Sequence, residues 1–523
     1  MSGPQNVTYA TAVFDEAMHE AYERALVKIP SMLGEPHPLY IGGQEFLSPT
    51  QFETWSPIDT TIRIGLFQNA TVEQVHHAIA RSGQEYSKWG RIRWQDRVAA
   101  LRNVADVLDG QRFLLSALIT YEIGKTRAEA VAEVAESVDM IRYYCDLYER
   151  NGGYVTRMEP GESGQVTRSV LKPYGVWAVI SPFNFPISLA AGMIAAVLLT
   201  GNTAIFKPTS ESPLSGLKLY QAFLQGGIPP GALQFVTGPG RMFGETIVSH
   251  PGISGIAFTG SRDAGNWLHQ NFTARQPYGK PVVLELGSKN PVIVTEHADI
   301  TKAVAGITRS AFGYGGQKCS ATSRVYVQES IMSAFAAALM REVMALKTGD
   351  PRERMTDLGL GINAAAVARF RAVVAEAKAA GATILCGGEV LTGHIFDRGN
   401  YMSATVITGL PPGHRLEKEE LFVPFLIVET YAGFEDALQR ANATDFGLTA
   451  GLFSENADEV ARFFDRIESG VCYANREGGA TTGAWPGSQP FCGWKASGIS
   501  GKGAGGPYYL LSFVREQAQT WAG

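Results

Sequence analysis

The stretch Phe312–Arg324, FGYGGQKCSATSR, sets Cys319 between a glycine-rich turn and a run of small polar residues. Most lone cysteines are inert and sit among apolar neighbours; the glycines here argue instead for close backbone approach to a presented thiol. A nucleophilic thiolate needs a field that lowers its pKa, and Lys318 beside it, or a helix N-terminus, is the expected source. In LELGSKNP, Glu285 lies inside an apolar run, where a carboxylate is costly unless paired or used. Burial would raise its pKa and suit it to act as a general base near neutral pH; a salt-bridged structural glutamate is the alternative. In SPFNFP, Asn184 is held between two phenylalanines, either as a turn residue or as an amide donor aimed at developing negative charge.

A second set of residues points to a nucleotide. FTGSRDAG (258–265) follows an expected strand and opens an expected helix, so Gly260 allows close approach and Ser261 caps a helix whose N–H groups can face a phosphate. A plain glycine turn with a serine cap reads the same way. GPGRMFG, with Gly238, Gly240 and Gly244, departs from the dinucleotide fingerprint and is weak alone. FKPTSESP puts Lys207 at a strand end, where open α/β sheets bind ligands. A thiolate, an amide donor, a carboxylate base and a nucleotide site together suit one chemistry: hydride leaves most readily from a tetrahedral adduct, which a thiol forms with an aldehyde.

The elements that must position these residues follow from the pattern. A helical segment at 14–33 precedes a short strand in HPLYIGGQEF, and amphipathic helices are expected at 71–88, 94–121 and 125–148. GYVTRM and QVTRSVLKPYG flank a polar turn as a hairpin at 154–172, whose edge needs a cover such as another subunit. From Val176 strands alternate with helices, which implies a doubly wound parallel sheet. The rhythm restarts after residue 300, so a second α/β unit is expected, joined near 285–290. PYYLLSFVREQAQT alternates like a strand that pairs with something distant.

Length and composition agree. A chain of 523 residues exceeds what one core serves, and 45% hydrophobic with 18% charged residues is ordinary globular material. A net charge of −5 argues against nucleic acid as a partner. Five widely spaced cysteines with no CxxC pair argue against a disulfide framework and a zinc site, so no metal is expected. The first thirty residues carry Asp15, Glu16, Glu20 and Glu23 without an apolar core, and the run Ile187–Leu199 is short for a bilayer, so neither a secretory signal nor a membrane span is expected and the cytoplasm is the expected compartment.

SPFNFP, GNTAIFKP, FTGS, LELGSKNP, GGQKCSA, EELFVPF and ANATDFGLTAGLFS stand in the order and spacing of the aldehyde dehydrogenase superfamily, which the chain resembles from about residue 37 onward. The resemblance implies a dinucleotide-binding domain (1–152 and 175–285), a catalytic domain (286–500) and an oligomerisation arm (153–174 and 501–523), hence a homodimer or higher homo-oligomer. It implies that Cys319 is the nucleophile, that Asn184 and the Cys319 N–H hold the oxyanion, and that Glu285 activates the hydrolytic water. For the cofactor it implies Lys207 at the adenosine ribose, Ser261 near the pyrophosphate, and Glu420 with Phe422 at the nicotinamide ribose and ring. Ile180, Ser181, Ser210, Gly240, Phe258, Thr259, Gly260 and Gly265 complete that site. NAD is the expected cofactor; Ser210 stands where NAD-restricted relatives often carry a glutamate, which leaves NADP open.

Within the superfamily the likeness is greatest to the branch that oxidises glutamate γ-semialdehyde (1-pyrroline-5-carboxylate), linked to proline dehydrogenase. There Ser320 follows the nucleophile, Gly483 and Ala484 would offer N–H groups to the substrate α-carboxylate, and Phe185 and Phe491 would sleeve its aliphatic part. Departures are Ser288, Val423 and Cys492 in place of glycines, and Trp485 with Pro486 beside the carboxylate anchor. The rival readings are another aliphatic or aromatic aldehyde, a CoA-acylating or phosphorylating relative, a cofactor-independent thiol hydrolase, and a non-catalytic binding protein.

Overall fold

The computed structural model describes residues 14–480 and 485–522. Helices cover Glu16–Leu26, Val72–Trp89, Trp94–Gly110, Arg112–Ile123 and Arg127–Arg150 before the run of parallel strands that begins at Val176. Thr71 starts the second of these with a capping box: its hydroxyl accepts from Gln74 N, and the Gln74 side chain answers the Thr71 N–H. The single helix expected at 94–121 is two, broken at Gln111 (φ −101°, ψ 10°) just after Gly110, a poor helix former.

A seven-stranded sheet runs in the order 282–285, 253–259, 176–180, 203–207, 233–235, 39–41, 44–46. The first five strands are parallel and the last two form an antiparallel hairpin at the edge. Helices on both faces bury these strands, which is why they read as continuous apolar runs. The chain moves outward from 176–180 through 203–207 to 233–235, then returns to its other side with 253–259 and 282–285. The order therefore reverses at 176–180, and a crevice opens outside its carboxyl end.

A second seven-stranded sheet runs 383–386, 405–408, 425–431, 322–328, 290–294, 449–453, 471–474, parallel except at the 383–386 edge. Glu285 ends the last strand of the first sheet and Asn290 begins the next strand, in the second. So short a connection brings the carboxyl end of one sheet against the amino end of the other. The hairpin Val155–Met158 and Gln165–Pro173 is extended by Val514–Ala522, which pairs antiparallel with 165–173 along its whole length.

The closing segment is a strand only from Val514. Tyr509–Phe513 is a 3₁₀ turn, because Tyr509, Leu510 and Phe513 are buried, with Tyr509 stacked on Tyr144 (ring centroids 5.7 Å) and Phe513 tilted against Trp177 (4.8 Å). Among the described residues no helix is long and apolar enough to cross a membrane, and no group of His, Cys, Asp and Glu could hold a metal ion.

Candidate active site

Four parallel strands end side by side at the crevice, and their register sets the side chains there. Lys207 pairs with Ile180, Ile180 with Phe258, and Thr259 with Glu285. Just past 176–180 lie Ser181, whose buried hydroxyl has no partner among the described residues, and Asn184. Lys207 is buried with its ammonium 3.1 Å from the Pro208 carbonyl, and burial lowers its pKa to about 8. Ser210 is exposed, and its carbonyl takes the Thr54 hydroxyl.

Around the crevice the glycines have distinct duties. Gly240 opens the helix Gly240–Ser249 with free space where a side chain would sit. Gly260 rests against the Phe258 ring, and its N–H donates to the Glu285 carbonyl at 3.2 Å. Ser261 caps Arg262–Arg275 by accepting from Ala264 N, and a side chain at Gly265 would strike Leu286.

From the second sheet, Cys319 arrives three residues before the strand Thr322–Gln328, partly exposed. Tyr314, Gly315 and Gly316 all have positive φ, and a Cβ on Gly316 would lie 2.5 Å from the Val423 carbonyl oxygen. The close approach inferred from GYGG is therefore to the chain's own backbone. Gln317 anchors this turn: its side chain donates to the Tyr314 and Leu360 carbonyls and accepts from Ile362 N. Its own carbonyl accepts from Asn184 Nδ2 at 3.0 Å, which brings the amide against the Cys319 loop. Asn290 Nδ2 holds the Cys319 carbonyl at 2.7 Å and that of Ala321 at 2.9 Å.

Lys318, the expected activator, has its ammonium buried in an ion pair with Glu129, 2.9 Å away on the helix Arg127–Arg150. Burial pushes the Cys319 thiol well up, and the Glu420 and Glu285 carboxylates raise it further, against backbone N–H groups that lower it.

Glu285 is buried, and neither carboxylate oxygen has a hydrogen-bond partner among the described residues. Burial holds its carboxyl well above the ordinary range, only partly offset by the nearby Gly493 N–H. That unpaired state is the opposite of a structural salt bridge. Glu420 accepts from Ser288 N at 2.8 Å and is pushed up to about 7 by burial. A side chain at Gly287 would collide with it. Phe422 adopts φ 57°, unusual for an aromatic residue, with its ring edge-on to Phe183 at 5.9 Å.

Phe185 is buried beneath the Lys125 ammonium, 3.4 Å from its ring centre, and Phe491 lies in the core against which Cys319 packs. The Ser320 hydroxyl is buried without a partner among the described residues. Gly483 and Ala484 lie outside the described residues. Beside that segment the Arg476 guanidinium covers the Trp485 ring at 3.8 Å.

Sequence reasoning missed a buried frame. Glu133 takes Lys125 at 2.7 Å and the N–H groups of Ile187 and Ser188 at 2.8 and 3.3 Å, which pins the far side of the Asn184–Phe185 loop. Glu129 and Glu133 are one helical turn apart, so one face of Arg127–Arg150 grips both the Asn184 loop and the Cys319 loop. The available signal was acidic residues at that spacing among the alanines of RAEAVAEVAES.

Residues 46–518 match the model of the aldehyde dehydrogenase family. A 1-pyrroline-5-carboxylate dehydrogenase of Geobacillus sp. (strain WCH70) is 33% identical over 509 residues, 97% of this chain and 96% of its own. The structure of a Thermus 1-pyrroline-5-carboxylate dehydrogenase with bound NAD superposes with a TM-score of 0.93 at 31% identity, covering 100% of this chain and 99% of that one. Proline utilization A from Bdellovibrio bacteriovorus also superposes at 0.93 and 31% identity, with this chain covering 54% of it.

Proposed function

The chain belongs to the aldehyde dehydrogenase family, and from that premise we propose that it oxidises glutamate γ-semialdehyde, the open form of 1-pyrroline-5-carboxylate, to glutamate. It is an NAD(P)-dependent aldehyde dehydrogenase. The observation that carries the mechanism is the meeting of three groups where the two sheets abut: a partly exposed thiol, an amide fixed 3.0 Å from the carbonyl two residues before it, and a buried carboxyl with both oxygens unmet.

In this reading Cys319 Sγ bonds to the aldehyde carbon, and the carbonyl oxygen becomes an oxyanion held by Asn184 Nδ2 and the Cys319 N–H. The orphaned Ser181 hydroxyl, the scarcely bonded Lys207 ammonium and the open space at Gly240 suit a dinucleotide, with Ser261 at its pyrophosphate and Glu420 and Phe422 at its nicotinamide end. When bound, NAD supplies the hydride acceptor and a cationic ring that offsets the carboxylates beside the thiol. Loss of the former aldehyde hydrogen as hydride, for which that acceptor would be needed, breaks the C–H bond and turns the adduct into a thioester. Glu285 then takes a proton from water, whose oxygen bonds to the thioester carbon as the C–S bond breaks, releasing glutamate and the Cys319 thiolate. The unpaired carboxyl of Glu285 favours water over another acceptor.

Phe185 and Phe491 would sleeve the aliphatic part of the substrate, with Gly483 and Ala484 at its carboxylate and Ser320 also in contact with it. The dinucleotide-binding role goes to 1–152 with 175–285 and the catalytic role to 286–500. The arm, 153–174 with 501–523, would seat a second copy, since Val155, Met158 and Trp521 expose apolar surface on it; light scattering on the eluted protein tests for the oligomer. Five free cysteines suit the cytoplasm, and the likeness to proline utilization A suits a functional link to proline oxidation.

The test is reduced-cofactor formation from 1-pyrroline-5-carboxylate beside plain aliphatic and aromatic aldehydes, with NAD and with NADP. A kcat/KM at least about tenfold higher for the amino-acid aldehyde is expected, the discrimination a buried carboxylate site gives over an analogue lacking that group. Equal turnover of plain aldehydes would reject the substrate assignment.

A further inference from the structure

The residues joining the two sheets include Ser288, which is buried and outside the left-handed region, so its side chain is sterically ordinary there. Its hydroxyl donates to Asn290 Oδ1 at 2.7 Å and accepts from Leu448 N at 3.4 Å. The orientation of the Asn290 amide is dictated by three backbone groups: Thr449 N–H must face Oδ1 (2.9 Å), and the Cys319 and Ala321 carbonyls must face Nδ2. With Ser288 added, every hydrogen-bonding position of that amide is used. On its other side, the Ser288 N–H holds Glu420 Oε1.

We propose that Ser288 is a positioning residue that couples Glu420 to the nucleophile loop: its N–H holds the carboxylate while its hydroxyl fixes the amide that sets the Cys319 carbonyl. Glycine at this position would keep the first bond and lose the second. Were Glu420 to turn from the Ser288 N–H toward a bound cofactor, the shift at Ser288 would reach Cys319 through one intervening side chain, Asn290. The inference rests on the reading of Cys319 as nucleophile and of Glu420 as a cofactor ligand.

The experiment measures alkylation of Cys319 by iodoacetamide, followed by mass spectrometry, with and without NAD, alongside NAD binding by fluorescence titration. Ser288→Ala removes the hydroxyl and keeps the N–H; Ser288→Thr keeps both. The expected result is an alkylation rate in Ser288→Ala that differs about 2- to 10-fold from the parent, the range one net hydrogen bond supports, with the NAD-induced change in rate lost and NAD affinity retained. Ser288→Thr should restore that response. A Ser288→Ala protein that keeps the NAD-induced change, whether or not its thermal stability falls, overturns the proposal, as does Ser288→Thr behaving like Ser288→Ala. Cys319→Ala separates the two levels. Retained aldehyde oxidation in that variant defeats the functional reading, whereas its loss together with a normal Ser288→Ala defeats only the coupling.

Discussion

The two seven-stranded sheets bring their residues to the site from opposite ends. The first presents Ser181, Lys207, Thr259 and Glu285 at or just past strand carboxyl ends. The second presents Cys319, Glu420, Asn290 and Thr449 at or just before strand amino ends. Their hydrogen bonding differs as sharply. On the first side a buried hydroxyl, a buried ammonium and a buried carboxyl are scarcely partnered, whereas on the second the Asn290 amide uses all four of its positions and Gln317 three, with the Ser320 hydroxyl an unmet group beside Cys319. Unmet polarity is what a ligand consumes; saturated polarity is what holds a loop still. Most of the unmet polarity lies on the first side, and the amides that hold the Cys319 loop lie on the second.

The comparison breaks first at the thiol. Cys319→Ala should lower aldehyde oxidation at least about a thousandfold, as loss of a covalent nucleophile does, while NAD binding by titration persists; residual turnover near the parent level would end the assignment. Glu285→Gln should preserve the burst of reduced cofactor and slow the steady state by about 10²- to 10⁴-fold, the range for a general base. Its thermal midpoint should hold or rise, because a charged form with unmet oxygens has been removed. In the parent, the thioester-hydrolysis step should accelerate as pH rises through the elevated pKa of Glu285, since the base works only deprotonated; the Gln variant should lose that limb of the pH–rate profile.

Asn290→Ala tests the holding side. It strips partners from the Cys319 and Ala321 carbonyls, and urea denaturation should show a loss of about 2–4 kcal/mol; a variant as stable as the parent would erase the distinction between the sides. The smallest effect is at Lys207. Lys207→Met should weaken NAD binding about tenfold, a loss of one charge-assisted contact, with stability unchanged or higher. With a pKa lowered to about 8, Lys207 carries its charge below that pH, so NAD affinity in the parent should fall as pH rises from 7 to 9 and in the variant should not.

What the sequence revealed was local. Cys319, Asn184, Glu285 and Lys207 stood out because each is a reactive or polar residue at a strand end or in a glycine turn, and the alternation of apolar runs with helices set the sheet. Groups whose meaning depends on a distant partner were illegible. Lys318 reads as the neighbour of Cys319, yet its partner Glu129 is 189 residues away. Glu133 meets its backbone partners 54 and 55 residues on, and Asn290 holds a carbonyl 29 residues on. The turn at Tyr509–Phe513 was missed for a related reason: packing against Tyr144 and Trp177 overrides an alternating pattern that looks like strand. The break at Gln111 is different, since Gly110 just before it was a local signal.

The pairing of Val514–Ala522 with Gln165–Pro173 has a consequence for biosynthesis. Ser169 bonds Glu516, 347 residues further along the chain. At about 5–20 residues per second, the hairpin leaves the ribosome about 20–70 s before its covering strand exists. Through that interval Gln165–Pro173 offers an open ladder of peptide groups to any passing chain, itself included, so the arm is where a nascent copy is most exposed to mispairing.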